Sequence, residues 1–162
     1  MAKNTTDPLA VFNQLYKKMD EIYHLYAKRT GISDTALWLL YSLYEEGTAY
    51  TQRELCSIWQ LPPQTVNSAL KALERQEIIA LVPIPGNQKN KRIALTKKGE
   101  EMTREIIHPL ILAEQRTFAG LTEAEREALL SLTQKHVDLL QEEIDACNAQ
   151  SGLHIQLVCN EP

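Results

Sequence analysis

Three cysteines, at positions 56, 147 and 159 of 162 residues, are too few, too scattered and odd in number for a disulfide framework. Long apolar runs are missing too. The longest free of charge, Ile78 to Ile84, spans seven residues, far short of the ~20 that a membrane helix needs. No apolar core follows Met-Ala-Lys-Asn-Thr-Thr-Asp at the N-terminus, so a secretory signal is not expected and a cytoplasmic location is. Six glycines and seven prolines without a period exclude a fibrous chain. There is no Gly-x-Ser-x-Gly elbow, no phosphate-binding glycine loop and no zinc-protease helix, so neither an enzyme nor a cofactor is expected. His24, His108, His136 and His154 lack metal-ligand spacing, and no metal site is expected.

Positive charge is also in deficit, with 17 basic residues against 21 acidic and a formal charge of −4. A negative total argues against nucleic acid as a partner, but the distribution argues for it. Between residues 51 and 99, Arg53, Lys71, Arg75, Lys89, Lys91, Arg92, Lys97 and Lys98 face only Glu54, Glu74 and Glu77. From Gly86 to Lys98 there is no acid at all. Phosphate binding needs a local positive face, because salt limits the reach of each charge to about 10 Å.

What the chain has in abundance is helical periodicity. Leu9, Phe12, Leu15, Tyr16, Met19, Ile22, Tyr23 and Tyr26 recur at threes and fours, which predicts a long first helix stopped by Gly31. Ser33 or Asp34 caps a second helix, ended by Gly47. Thr51-Gln52-Arg53-Glu54 is a capping box, opening a third helix with Leu55, Ile58 and Trp59 inward. Pro62-Pro63 suits the entry to a fourth, with Val66, Ala69, Leu70 and Leu73 on one side. Ile78 to Ile84 reads as a strand, Gly86 to Asn90 as a polar turn, and Arg92 to Leu95 as a returning strand. Thr96 and Thr122 cap two further helices, and the tail after Cys147 reads as irregular.

The fold class that follows is mainly α: a winged helix-turn-helix with a two-stranded β-hairpin, flanked by dimerisation helices. Its divisions are 1–32 for the N-terminal helix, 33–98 for the DNA-binding domain, 99–147 for the C-terminal helices and 148–162 for the tail. The second helix of the pair exposes small polar side chains near its start, as DNA readers require. Gln and Asn offer adenine a paired donor and acceptor, Ser and Thr reach bases or phosphates, and Lys reaches guanine or the backbone. The hairpin brings Lys89, Lys91 and Arg92 beside the duplex.

These residues in this order resemble the MarR family of winged-helix transcriptional regulators. The likeness is carried by Thr51-Gln52-Arg53-Glu54-Leu55, Leu61 with Thr65-Val66, Leu70, Leu73-Glu74, Ile78-Ile79, Lys89-Asn90-Lys91-Arg92 and Leu95-Thr96-Lys97-Lys98-Gly99. It implies a homodimer joined through its first, fifth and sixth helices, binding double-stranded DNA. It also puts Pro63, Gln64, Thr65, Asn67, Ser68 and Lys71 on the recognition helix, and Lys89, Lys91 and Arg92 on the wing. Three positions depart from the family pattern. Asn87 and Asn90 stand where an acid commonly braces the wing, and Glu77 stands where glycine often follows the recognition helix. Dimerisation has separate support, since the flanking apolar stripes are too long for one small lobe to cover.

Tyr23, Tyr26, Trp38 and Tyr41 fall among aromatics concentrated in the first fifty residues. They fit core and dimer packing; they also fit a crevice for a small aromatic effector, which the family likeness favours. Cys56 reads as a buried thiol more readily than as a redox sensor. The leading expectation is a repressor acting on a pseudo-palindromic operator. The alternative is a winged-helix module that docks another protein.

Overall fold

Helix α1 (Pro8–Thr30) starts where the Asp7 carboxylate accepts a 3.0 Å bond from the Leu9 N–H, with proline in the first turn. It stops at Gly31, whose φ of +78° lets its N–H return to Lys28 while Ile32 N–H reaches Ala27 O at 3.1 Å. The computed structural model describes residues 7–45 and 50–151. Ser33 supplies the next cap, its hydroxyl oxygen accepting from Ala36 N–H, and α2 (Asp34–Glu45) follows. Gly47, expected to end α2, lies outside the described residues.

The remaining elements are β1 (Tyr50–Thr51), α3 (Gln52–Trp59), α4 (Pro63–Arg75), β2 (Ile79–Ile84), β3 (Asn87–Leu95), α5 (Lys97–Ala119) and α6 (Glu123–Ser151). The chain divides into two compact units, Met1–Leu112 and Ala113–Pro162. In the first, Leu37, Leu39 and Leu40 of α2 are fully buried with Leu55 of α3, Val66 of α4, Ile93 of β3 and Ile107 of α5. Each such side chain contributes roughly 1.5–3 kcal/mol when withdrawn from water. His24 Nδ1 lies 3.0 Å from both carboxylate oxygens of Asp34, tying α1 to the start of α2. In the second unit, Thr122 and Glu125 form a capping box: Thr122 N–H donates to Glu125 Oε2 at 2.8 Å, and Glu125 N–H donates back to the Thr122 hydroxyl at 3.3 Å.

The sheet is antiparallel in the order β1-β3-β2, so three strands replace the expected two. Ile93 pairs with Tyr50 on one side and Leu81 on the other, while Arg92 pairs with Thr51 and Val82. Successive side chains alternate faces. Buried Ile93 therefore marks the inner face, and Arg92 the outer.

Three further sequence expectations change. The hairpin turn is Pro85-Gly86 rather than Gly86 to Asn90, and β3 begins at Asn87. Proline followed by glycine at φ +78° is the order a tight type II turn favours, whereas polarity alone suggested a longer loop. The pairing then shifts register between Pro83 and Ile84, where Lys91 and Asn87 are their successive partners. Ile58 faces outward at 49% exposure. Relative to Leu55, Cys56 and Trp59 turn about 100° and 40° one way around the helix, and Ile58 about 60° the other. Finally, α6 continues past Cys147 to Ser151, and the rest of the expected irregular tail, 152–162, lies outside the described residues.

Candidate nucleic-acid interface

Helix α3 hands over to α4 through Gln60, a non-glycine residue held at φ +50°. Its N–H and that of Leu61 both return to Cys56 O, closing α3 before Pro62 and Pro63 redirect the chain. The Gln52 side-chain amide donates to Pro63 O at 3.1 Å, fastening the start of α3 to the start of α4. Cys56 itself is half-buried against the core.

On α4, Val66, Leu70 and Leu73 are buried, which orients everything else on the helix. Pro63, Gln64, Thr65, Ser68 and Lys71 are exposed and Asn67 is half-buried. The Ser68 hydroxyl donates to Gln64 O at 2.9 Å, so toward solvent it offers acceptor lone pairs. No side chain caps the N-terminus of α4, where the helix dipole favours an anion.

At its other end, α4 closes on Glu77, at φ +59°, with Ile78 N–H reaching Leu73 O at 3.0 Å and Glu77 N–H reaching Glu74 O at 2.8 Å. That is the two-bond closure which usually takes glycine at the left-handed position. The helix ends in the ordinary way despite the side chain. The Lys98 ammonium donates to Gln76 O at 2.7 Å, so one cation of the basic segment serves this helix end.

Lys91 and Arg92 are exposed on β3, with Arg92 at the level of Thr51 rather than at the hairpin tip. Lys89 lies on β3 in backbone; its side chain is outside those described. Thr51 N–H and hydroxyl both donate to Glu54 Oε2, at 2.6 and 2.9 Å. These two bonds, the backbone one first, hold the Glu54 carboxyl below its usual range, with a further contribution from the charge of Arg92.

The four aromatic candidates separate. Trp38 lies 4.8 Å from Tyr23 and 6.0 Å from Tyr41 between ring centroids. Tyr26 instead donates its hydroxyl to Ile106 O at 2.6 Å, and burial pushes its phenol up. Trp59, which periodicity assigned to the inner side of α3, stacks on Trp38 at 4.7 Å and donates its indole N–H to Ser42 Oγ at 2.8 Å. The tetrad of Tyr23, Trp38, Tyr41 and Trp59 is half-buried.

Residues 30–89 match the MarR family model, which bears out the likeness over α2, α3, α4 and the start of the wing. No curated protein matches the chain in sequence. Among solved structures, the chain is similar to a MarR family regulator from Neisseria meningitidis, with TM-score 0.74, 18% identity, and 87% of this chain and 99% of that chain covered. It is similar to Staphylococcus aureus MepR in its DNA-binding conformation, with TM-score 0.70, 21% identity, and 83% and 98% covered. A third likeness is to a Listeria monocytogenes protein described as a MarR family transcriptional regulator and complexed with 26mer DNA, with TM-score 0.67, 23% identity, and 91% and 97% covered. At these identities the likeness is one of fold.

Proposed function

From a MarR family segment at residues 30–89, we infer that this chain is a sequence-specific DNA-binding transcriptional regulator, a repressor acting as a homodimer on a pseudo-palindromic operator. The observation that carries the reading is the division of α4. Val66, Leu70 and Leu73 anchor it, leaving Gln64, Thr65, Ser68 and Lys71 exposed beside an uncapped N-terminus. Inserted in a major groove, Gln64 and Asn67 read adenine edges, Thr65 and Ser68 contact bases or phosphates, and Lys71 reaches guanine or the backbone. Pro63 and the first turn approach a phosphate, and Lys89, Lys91 and Arg92 of the wing hold the neighbouring backbone.

The homodimer is supported by apolar surface that the chain leaves in water. On α1, Leu9, Leu15, Tyr16, Met19 and Ile22 are each more than half exposed. On α6, Leu132, Leu139 and Leu140, on one side of the helix, are each half exposed or more. Contiguous apolar faces of this size mark association surfaces, and a two-fold pair would set its half-sites about 34 Å apart. A small aromatic effector suits the half-buried rings of Tyr23, Trp38, Tyr41 and Trp59. The Tyr26 hydroxyl, committed to Ile106, is not one of its donors.

The experiment is selection of bound fragments from genomic DNA at two salt concentrations, with sedimentation of the free protein alongside. The expected result is a dimer that enriches pseudo-palindromic fragments, with affinity falling steeply as salt rises. A monomer, or a dimer that enriches nothing and ignores salt, contradicts the reading and favours a protein-docking module.

A further inference from the structure

Glu54 is not among the residues assigned to DNA, but its surroundings connect it to one that is. It is the third residue of α3 and the acidic half of that helix's capping box. Both bonds from Thr51 end on Oε2, which leaves Oε1 as an acceptor. Glu54 backbone N–H returns a 3.3 Å bond to the Thr51 hydroxyl, so backbone and carboxylate of Glu54 are both tied to Thr51.

Thr51 is also the cross-strand partner of Arg92. Directly opposed residues of an antiparallel pair project to the same face, with Cβ atoms about 4.5–5.5 Å apart. The next pair, Tyr50 with Ile93, belongs to the inner face, because Ile93 is buried. Thr51 and Arg92 therefore share the outer face. A carboxylate pinned to Thr51 is thereby brought into Coulombic range of the Arg92 guanidinium, and Arg92 is the cation that acts on it. The hairpin of β2 and β3, residues 79–95, contains no acid, so a charged brace for this arginine has to come from another element.

We propose that Glu54 is a positioning residue for Arg92: the capping box of α3 also orients the wing-base guanidinium toward the DNA backbone. The proposal rests on the DNA-binding reading above. Arginine is a long side chain with much rotamer freedom to lose on binding. A carboxylate fixed by two hydrogen bonds removes part of that freedom in advance, which is how preorganisation raises affinity. An unanchored surface acid would only subtract from the local positive field.

The test is Glu54→Gln, because glutamine at this position still serves a capping box while carrying no charge. Circular dichroism and thermal melting should show the fold retained. Affinity for a selected operator fragment should drop about two- to fivefold, the size of an exposed ion pair. Arg92→Gln should weaken binding as well, and Glu54→Gln added to it should weaken binding no further. Tighter binding by Glu54→Gln, or losses that multiply in the double variant, would overturn the proposal. A carboxyl titration of the free protein by NMR supplies an arm without DNA, in which Arg92→Gln should raise the Glu54 midpoint. An unmoved midpoint in a protein that binds its operator overturns the positioning role alone. A wild-type chain that selects no DNA overturns the DNA-binding reading, and this role with it.

Discussion

The Ile78 carbonyl oxygen occupies the space in which a side chain on Gly99 would begin, so any Cβ at position 99 would overlap it. Around this contact, Thr96 N–H donates to Ile78 O at 3.0 Å and the Thr96 hydroxyl to Glu77 O at 2.6 Å. The Lys98 ammonium donates to Gln76 O. The end of α4 is thus stitched to the start of α5 by backbone approach and by these hydrogen bonds.

Gly99→Ala should therefore destabilise the fold although alanine is the better helix former. The obstacle is a backbone oxygen, which cannot rotate away, and overpacking of this kind costs about 1–3 kcal/mol. Urea unfolding measures it. A midpoint equal to that of the wild type would mean that α4 and α5 do not approach so closely.

Glu77 sits at φ +59° in the closure of α4, where a Cβ is penalised. Glu77→Gly should raise stability by about 1 kcal/mol, since the conformation is retained and the steric cost is removed. The Glu77 carbonyl that receives the Thr96 hydroxyl is unchanged by the substitution. Thermal melting of the two proteins side by side checks it, and a lower midpoint for the glycine variant would contradict the geometry.

The capping boxes give stability a pH dependence. Glu54 and Glu125 are both held below the ordinary glutamate value of 4.5, first by the backbone N–H and then by the hydroxyl of their threonines. A carboxyl depressed in the folded state binds protons more readily when unfolded. Its contribution is therefore complete above 4.5 and is lost as pH falls through the lower folded value. Melting temperature should drop over that acid window, and Glu125→Gln should flatten the drop without changing its direction. A Glu125→Gln profile parallel to the wild type would show that the box contributes nothing there.

Features built from bonds between near neighbours were legible in the chain itself. Gly31, the Thr51–Glu54 box and the Thr122–Glu125 box each join residues three to five positions apart, and residue type is enough to suggest them. Strand β1 was not legible. It has two residues, and its partners Arg92 and Ile93 lie some forty positions away, so no local periodicity announces it. Asn87 to Asn90 suggested a loop by polarity, yet the tight turn at Pro85-Gly86 carries them into β3. On α3 the apolar residues indicated a helix, but which of them turns inward was decided by packing, and Ile58 was left outside. Among the interface candidates, Pro63, Gln64, Thr65, Ser68 and Lys71 lie on the exposed side of α4, and Asn67 is half-buried. Arg92, read on the returning strand of the wing, lies there opposite Thr51 of a third strand that the sequence did not announce, and Lys98 proved to be engaged at the end of α4.

One competition measurement separates the two proposed roles, sequence reading by α4 and attraction indifferent to sequence by the wing. Wild type, Gln64→Ala and Lys91→Ala are each titrated against a selected operator and a scrambled duplex over a range of salt. Gln64→Ala should lose about 1–3 kcal/mol on the operator, roughly 5- to 150-fold, and little on the scrambled duplex. Lys91→Ala should weaken both alike and reduce the salt slope by about one. Equal losses on both duplexes for Gln64→Ala, or none on either, would contradict the role given to α4.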